Sequence, residues 1–406
     1  MDIGNKGKIK VALVAACDRY NYGDVLLPVI FEEYYMLSGK EGVEFKYYGL
    51  AKRDLRSIGG KATLPLYKLD GSIKYVIVAG GEVLNVNYLS MFLNLQTSKA
   101  VIYFFRKLRR VSLNLTNGIC KKILRGKNLL PWYIFPQNRS QKIFYNAVGG
   151  TTIGEADERQ KSEVLKVIDL STSFSVRDNA TFESLKEMGS SEKLRLLPDT
   201  AILMSKVFPC DRLESKISDY VKNLISATNQ VYYVVQMSKA VGDEIKDDIV
   251  LAINEYYKKK NITCVLLPIG RVQGHEDILP LREIRDKTVK GACLLVEENN
   301  IYDVMYIIAH SRAFIGSSLH GIITAAAYEV PHTIISSRLE KLVSFVNTWN
   351  TTSNVSIDSD HDFVEFLARP DLKQTVGSKN IQSMQCKVQN YFDELIQMIG
   401  SADMEM

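Results

Sequence analysis

The sequence predicts an α/β protein of two domains built on parallel sheets. Three observations carry that expectation. Short, wholly apolar runs such as Val11–Ala16 and Tyr75–Ala79 have the composition of strands buried on both faces. Helical segments separate most of these runs, the alternation that yields parallel sheets. The 406 residues also exceed what one hydrophobic core organises.

In the first half, Ile9–Ala16 is expected as a strand, followed by the polar turn Cys17–Asp24 (CDRYNYGD) and a helix over Val25–Leu37. Asn21, Gly23 and Asp24 then stand at the mouth of the first strand–helix unit, where Asn and Asp either cap the helix or touch a ligand. Val43–Gly49 and Tyr75–Ala79 follow as the second and third strands. Gly80 and Gly81 come directly after the latter and permit positive φ and a close backbone approach by a ligand. Lys142–Gly154 reads as a strand ending in a Gly/Thr turn, Glu155–Lys166 as a helix, Ser173–Arg177 as a strand and Asp178–Gly189 as a helix with a glycine stop. Arg177 and Asp178 lie at that strand end, either facing a cleft or closing on each other as an ion pair. The N-terminal domain is placed at 1–205, with a basic insert near 85–140.

The second half repeats the alternation over 206–379. Strands are expected at Gln230–Gln236, Ile262–Pro268, Ala292–Val296 and, as the last, Thr333–Ile335, with helices at Asp243–Lys260 and Asn300–Ser311. The polar turn Gly270–Asp277 carries His275 and Asp277, which either serve acceptor binding or are simply exposed. Asn380–Ile399 is an amphipathic helix in a terminal segment, 380–406, expected to pack back on the N-terminal domain.

Ser311–Pro331 (SRAFIGSSLHGIITAAAYEVP) holds the main candidate site. Ala313–Ile315 suits a buried strand, and Gly316, Ser317 and Ser318 form a turn whose hydroxyls can cap the helix Leu319–Tyr328. His320 and Gly321 fall in its first turn, past the carboxyl end of a strand, where open α/β sheets bind ligands and free N–H groups favour an anion. An imidazole there is suited to acid–base work, or it merely caps and packs.

Composition narrows the partners. The chain carries +5 overall, yet no acidic residue occurs between Glu82 and Glu155, an interval with eleven Lys and Arg from Lys99 to Lys142. Phe92, Tyr103, Phe104, Phe105, Trp132 and Tyr133 interleave with that charge. An anionic partner surface fits: a cytoplasmic membrane leaflet or a phosphate-bearing acceptor. No nucleic-acid-binding motif accompanies the charge, so nucleic acid is not expected. The six scattered cysteines, without a CxxC pair, fit a reducing cytoplasm and offer no zinc site; no metal or cofactor is expected. The short run Val11–Cys17 is read as a first strand rather than a leader, and no run is long enough to span a membrane.

Taken together, NYGD (Asn21–Asp24), AGGEVL (Ala79–Leu84), NAVGG (Asn146–Gly150), SVRD (Ser175–Asp178), LPDTA (Leu197–Ala201) and IGSSLHGIITAA (Ile315–Ala326) resemble the polysaccharide pyruvyltransferase family in order and spacing. The resemblance implies two Rossmann-like halves facing a cleft, as in GT-B glycosyltransferases. It implies phosphoenolpyruvate as donor co-substrate and a lipid-linked oligosaccharide or polysaccharide precursor as acceptor, ketalised at the inner face of the cytoplasmic membrane. It makes His320 the general acid/base and Arg177 the clamp on the donor's anionic groups, with Asn21, Gly23, Asp24, Gly80, Gly81, Asp178, Gly316, Ser317, Ser318 and Gly321 about the donor. The family commonly has Arg where this chain has Ser318, and a hydroxyl cannot supply a bidentate charged contact. A nucleotide-sugar glycosyltransferase on the same frame, or a non-catalytic assembly protein of the same pathway, are the alternatives.

Overall fold

The computed structural model describes residues 8–228, 230–271, 276–336, 338–351, 356–357, 359–370, 372–375 and 377–400. Nine strands form the first sheet: β1 (Ile9–Val14), β2 (Val43–Gly49), β3 (Arg53–Asp54), β4 (Ala62–Pro65), β5 (Tyr75–Val78), β6 (Gly81–Glu82), β7 (Lys142–Gly149), β8 (Ser173–Val176) and β9 (Leu194–Leu196). Their order is β3-β4-β2-β1-β5-β7-β8-β9, with β6 beside β7, and every pairing is parallel except β3 with β4. The second sheet holds β10 (Tyr232–Gln236), β11 (Thr263–Leu266), β12 (Cys293–Leu295), β13 (Phe314–Gly316), β14 (His332–Ile335) and β15 (Ser356–Ile357), all parallel, in the order β12-β11-β10-β13-β14-β15.

Two expectations need correction. Tyr75–Val78 is the fifth strand, not the third, because two-to-four-residue strands at Arg53 and Ala62 are too short to show a period. Thr333–Ile335 is not the last strand, since β15 pairs beyond it.

Successive residues of a strand face opposite sides of its sheet. Val11, Leu13 and Ala15 accordingly enter one core, and Ala12, Val14 and Ala16 another. In the second sheet Tyr232 and Val234 join the first of these cores, while Tyr233 and Val235 enter a third. One apolar core therefore runs between the sheets and ties the halves together. The helix Ser378–Gly400 closes it. Its Ile381, Met384, Val388, Phe392, Leu395, Ile396 and Ile399 are at most 2% exposed, each contributing about 1.5–3 kcal/mol by burial. Phe392 packs edge-on against Phe31 at 4.9 Å, and the Tyr391 hydroxyl donates to Asn146 Oδ1 at 2.8 Å.

Four helices of the first half matter below: α1 (Tyr22–Leu37), α2 (Tyr88–Asn94), α3 (Lys99–Val111) and α4 (Leu113–Ile123). The last three make up most of the basic interval and enclose a small core of Tyr88, Leu89, Phe92, Phe105 and Cys120. Among the described residues, no helix is long and apolar enough to cross a membrane.

Candidate functional site

In an open parallel sheet the crevice lies where the strand order reverses, outside the carboxyl ends of the strands. In the first sheet the reversal falls between β1 and β5, whose ends deliver Cys17–Asn21 and Ala79–Glu82. In the second it falls between β10 and β13, whose ends deliver Gln236 and Ser317. The fold sets the two reversals against each other. Asn21 forms an antiparallel bridge with Gly270 across the halves. The Tyr20 hydroxyl donates to Asn299 Oδ1 at 2.5 Å.

The His320 ring rests on Gly23. A Cβ at Gly23 would lie 2.0 Å from His320 Nδ1, so only glycine leaves room there. Ser318 caps the His320 helix, Leu319–Ala327, by accepting from Gly321 N at 3.3 Å. The His320 carbonyl accepts from Thr324 Oγ1, which meets the Tyr22 hydroxyl at 2.9 Å. The imidazole is 13% exposed; its Nε2 lies 3.7 Å from Asp199 Oδ2, beyond hydrogen-bond reach, and has no partner among the described residues. Burial holds its pKa below the ordinary imidazole value, Asp199 and Asp24 pulling upward and Arg177 downward. The ring is therefore neutral near pH 7 and can accept a proton, with two carboxylates placed to stabilise the imidazolium.

Asn21 is the N-cap residue of α1, but its side chain makes no capping bond; Nδ2 donates to Asp24 Oδ2 at 2.9 Å instead. The first N–H groups of α1 thus keep no intrahelical partner, close to the start of the His320 helix. Gly80 and Gly81 have φ of 123° and 90°, conformations that L side chains rarely adopt, and a Cβ at Gly81 would meet Asp24 Oδ1 at 3.2 Å.

The structure corrects several roles. Arg177 is not poised as an anion clamp. Its guanidinium is 5% exposed and donates to Asp199 Oδ2 and Glu82 Oε2, each at 3.0 Å. Burial pulls its pKa down, but Asp199 and Glu82 more than offset this and hold it charged. Asp178 is buried and makes no ion pair with it; its carboxylate caps the following helix, accepting from Thr181 N and Oγ1 at 2.9 Å. Gly316 and Gly321 serve packing, since a Cβ at either would meet the Phe314 ring at 2.6 or 2.5 Å. Asp277 is neither exposed nor open to an acceptor. It is 1% exposed and accepts from Ile269 N, Gly270 N and Gln236 Nε2 at 3.0, 2.8 and 2.7 Å. Gln236 Oε1 in turn takes the Ser317 N–H at 3.0 Å, so Asp277 steadies the turn before His320. Burial raises its pKa to about 6. His275 lies outside the described residues.

Asp199 and Glu82 are the groups that sequence reasoning missed as site residues. Both lie inside quoted motifs, LPDTA and AGGEVL, but nothing local marks them as partners of Arg177. Arg19 also escaped notice. It is 7% exposed, 3.3 Å from Asp18 and 3.8 Å from Asp24, and its Nε has no hydrogen-bond partner among the described residues.

Two parallel α/β halves with their strand-order reversals face to face define a GT-B-like architecture. Solved structures with this frame include a UDP-N-acetylglucosamine 2-epimerase from Neisseria meningitidis bound to UDP-GlcNAc (TM-score 0.55, 13% identity, 96% of this chain and 100% of that one covered). Another is the UDP-N-acetylglucosamine 2-epimerase from Rickettsia bellii (TM-score 0.50, 10% identity, 97% of each chain). At such identities the likeness is one of fold alone. No curated protein matches the sequence. The family model of polysaccharide pyruvyl transferases matches residues 21–338, most of the chain, and the protein belongs to that family.

Proposed function

We propose that the protein transfers pyruvate from phosphoenolpyruvate to a pair of sugar hydroxyls, forming a ketal on a lipid-linked envelope or capsular polysaccharide precursor at the cytoplasmic face of the membrane. The observation that carries this reading is the buried, neutral His320, its Nε2 unpartnered and facing Asp199 from the meeting point of two helix N-termini. One sugar hydroxyl adds across the C2–C3 double bond: its oxygen bonds C2, and His320 conveys its proton to C3. The second hydroxyl then displaces phosphate from C2, and its proton leaves with the phosphate. The imidazolium formed on the way is favoured by Asp199 and Asp24.

The donor's charge needs N–H donors and cations. Ser318 is committed to its helix cap and Arg177 to two carboxylates. The donor therefore falls to the free N–H groups at the starts of α1 and of Leu319–Ala327, with the Arg19 guanidinium, whose Nε lacks a hydrogen-bond partner among the described residues, 3.8 Å from Asp24 at the start of α1. Thermal shift with phosphoenolpyruvate, UDP, GDP and CMP tests this: a ligand that binds only the folded state raises its melting temperature. A shift with phosphoenolpyruvate alone, and loss of phosphate release in a folded His320→Ala variant, is the expected result. A shift with a nucleotide alone, or unchanged turnover without His320, overturns it.

A further inference from the structure

The helices of the basic interval leave an apolar surface open. Of the fourteen large apolar side chains exposed among the described residues, six lie between Tyr103 and Ile123: Tyr103, Phe104, Val111, Leu113, Leu115 and Ile123. Only Ile102 and Phe105 of α3 are buried, and only Thr116 and Cys120 of α4. Phe104 and Val111 stand two turns apart on one face. Val111, Leu113 and Leu115 are exposed at the corner where Ser112 ends α3 and caps α4, Val111 to 82%. Exposed Arg106, Lys107, Arg109 and Arg110 flank them, the Lys107 ammonium lying 4.8 Å from the Tyr103 ring centre.

We propose that the α3–α4 corner inserts into an anionic lipid bilayer, its apolar residues entering the acyl boundary while the surrounding Lys and Arg meet the headgroups. The inference rests on the lipid-linked acceptor proposed above and names the surface that brings the enzyme to it. Charge selects the occupant. A second copy of this surface would set the seven Lys and Arg of α3 and α4 against seven, with no acid in either helix. Nucleic acid would satisfy the cations but not the aliphatic Val111, Leu113, Leu115 and Ile123, which neither stack nor bind phosphate. A lipid interface satisfies both, and aromatic rings beside cations suit the headgroup level.

The test is flotation of the full chain with phosphatidylcholine vesicles, with and without phosphatidylglycerol, at low and high salt. Two variants accompany the wild type: Arg106→Gln/Lys107→Gln/Arg109→Gln/Arg110→Gln, and Phe104→Ser/Val111→Ser/Leu113→Ser/Leu115→Ser, all at exposed positions. The expected result is binding to the phosphatidylglycerol vesicles only, weakened about a thousandfold by removing the four charges. The serine variant should lose the part of the binding that survives high salt. Indifference to both variants, absence of binding, equal binding to phosphatidylcholine, or displacement of the vesicles by single-stranded RNA overturns the proposal. A phosphoenolpyruvate thermal shift on the same samples separates the two readings. If it persists while vesicle binding is absent, the membrane inference alone fails; if it is absent while binding persists, the donor assignment alone fails.

Discussion

His320 and Gly23 come from opposite halves of the chain, and the imidazole occupies the space where a Cβ of residue 23 would stand, 2.0 Å from Nδ1. The first turn of α1 is thus the floor on which the catalytic candidate lies.

Gly23→Ala tests this contact. Within a helix the change should be favourable by about 0.8–1.0 kcal/mol; the ring must instead swing away from Asp199. Turnover is expected to fall by roughly a hundredfold, with melting temperature little altered and circular dichroism unchanged. In a His320→Ala background the clash is gone, and the same change should raise the melting temperature. A fully active Gly23→Ala enzyme would show that the ring need not rest there.

Removing Arg177 takes the guanidinium from the buried Asp199 and leaves Glu82 to the Lys341 ammonium at 3.7 Å. Asp199 is 1% and Glu82 18% exposed at the side chain, and both face the guanidinium at 3.0 Å. Arg177→Met should cost about 3–5 kcal/mol in urea unfolding, the usual range when one partner of a buried pair is lost. Adding Asp199→Asn should recover part of that loss, because the two changes share one network. Additive losses would mean that the network is not coupled.

The acid limb of the activity profile reports His320. The neutral ring is the competent base, and burial places its folded pKa below 6.5. The ratio kcat/KM should therefore decline only as pH falls through a value under the ordinary imidazole range. Asp199→Asn removes a charge that favours the imidazolium, so it should move the limb to still lower pH. A limb at or above the ordinary value, or a shift to higher pH in the variant, would assign the profile to another group.

The local turns were legible in the sequence because each sits at a strand end within a few residues: NYGD after β1, the two glycines after β5, the serines after β13. What escaped was assembled by topology. Glu82, Arg177, Asp199 and His320 lie on four segments, and only the arrangement of β6, β8 and the chain after β9 brings them together. Asp277 misled for a different reason. A polar run reads as surface, whereas its burial depends on Gln236, 41 residues earlier, presenting an amide to it.

Stability against pH should show opposed contributions, His332 acting in one direction together with His320, and Asp277 in the other together with Asp18. His332 is fully buried, and desolvation lowers its pKa from 6.5 to about 4. The unfolded chain therefore binds the extra proton, and stability present above pH 6.5 is lost as pH falls toward 4, by about 3 kcal/mol in all. Asp277 runs the other way. Its folded pKa is raised to about 6, so its contribution is complete below its unfolded value of 3.8 and is lost as pH rises through 6. Across the shared window the two slopes partly cancel in the wild type. Relative to the wild type, Asp277→Asn should tilt the profile so that stability climbs more steeply as pH rises, and His332→Gln should tilt it the opposite way over the same range. Urea midpoints measured between about pH 4 and pH 6.5 decide the matter. If the two variants tilt the profile in the same direction, one of these two buried groups is not titrating in the folded chain as its surroundings require.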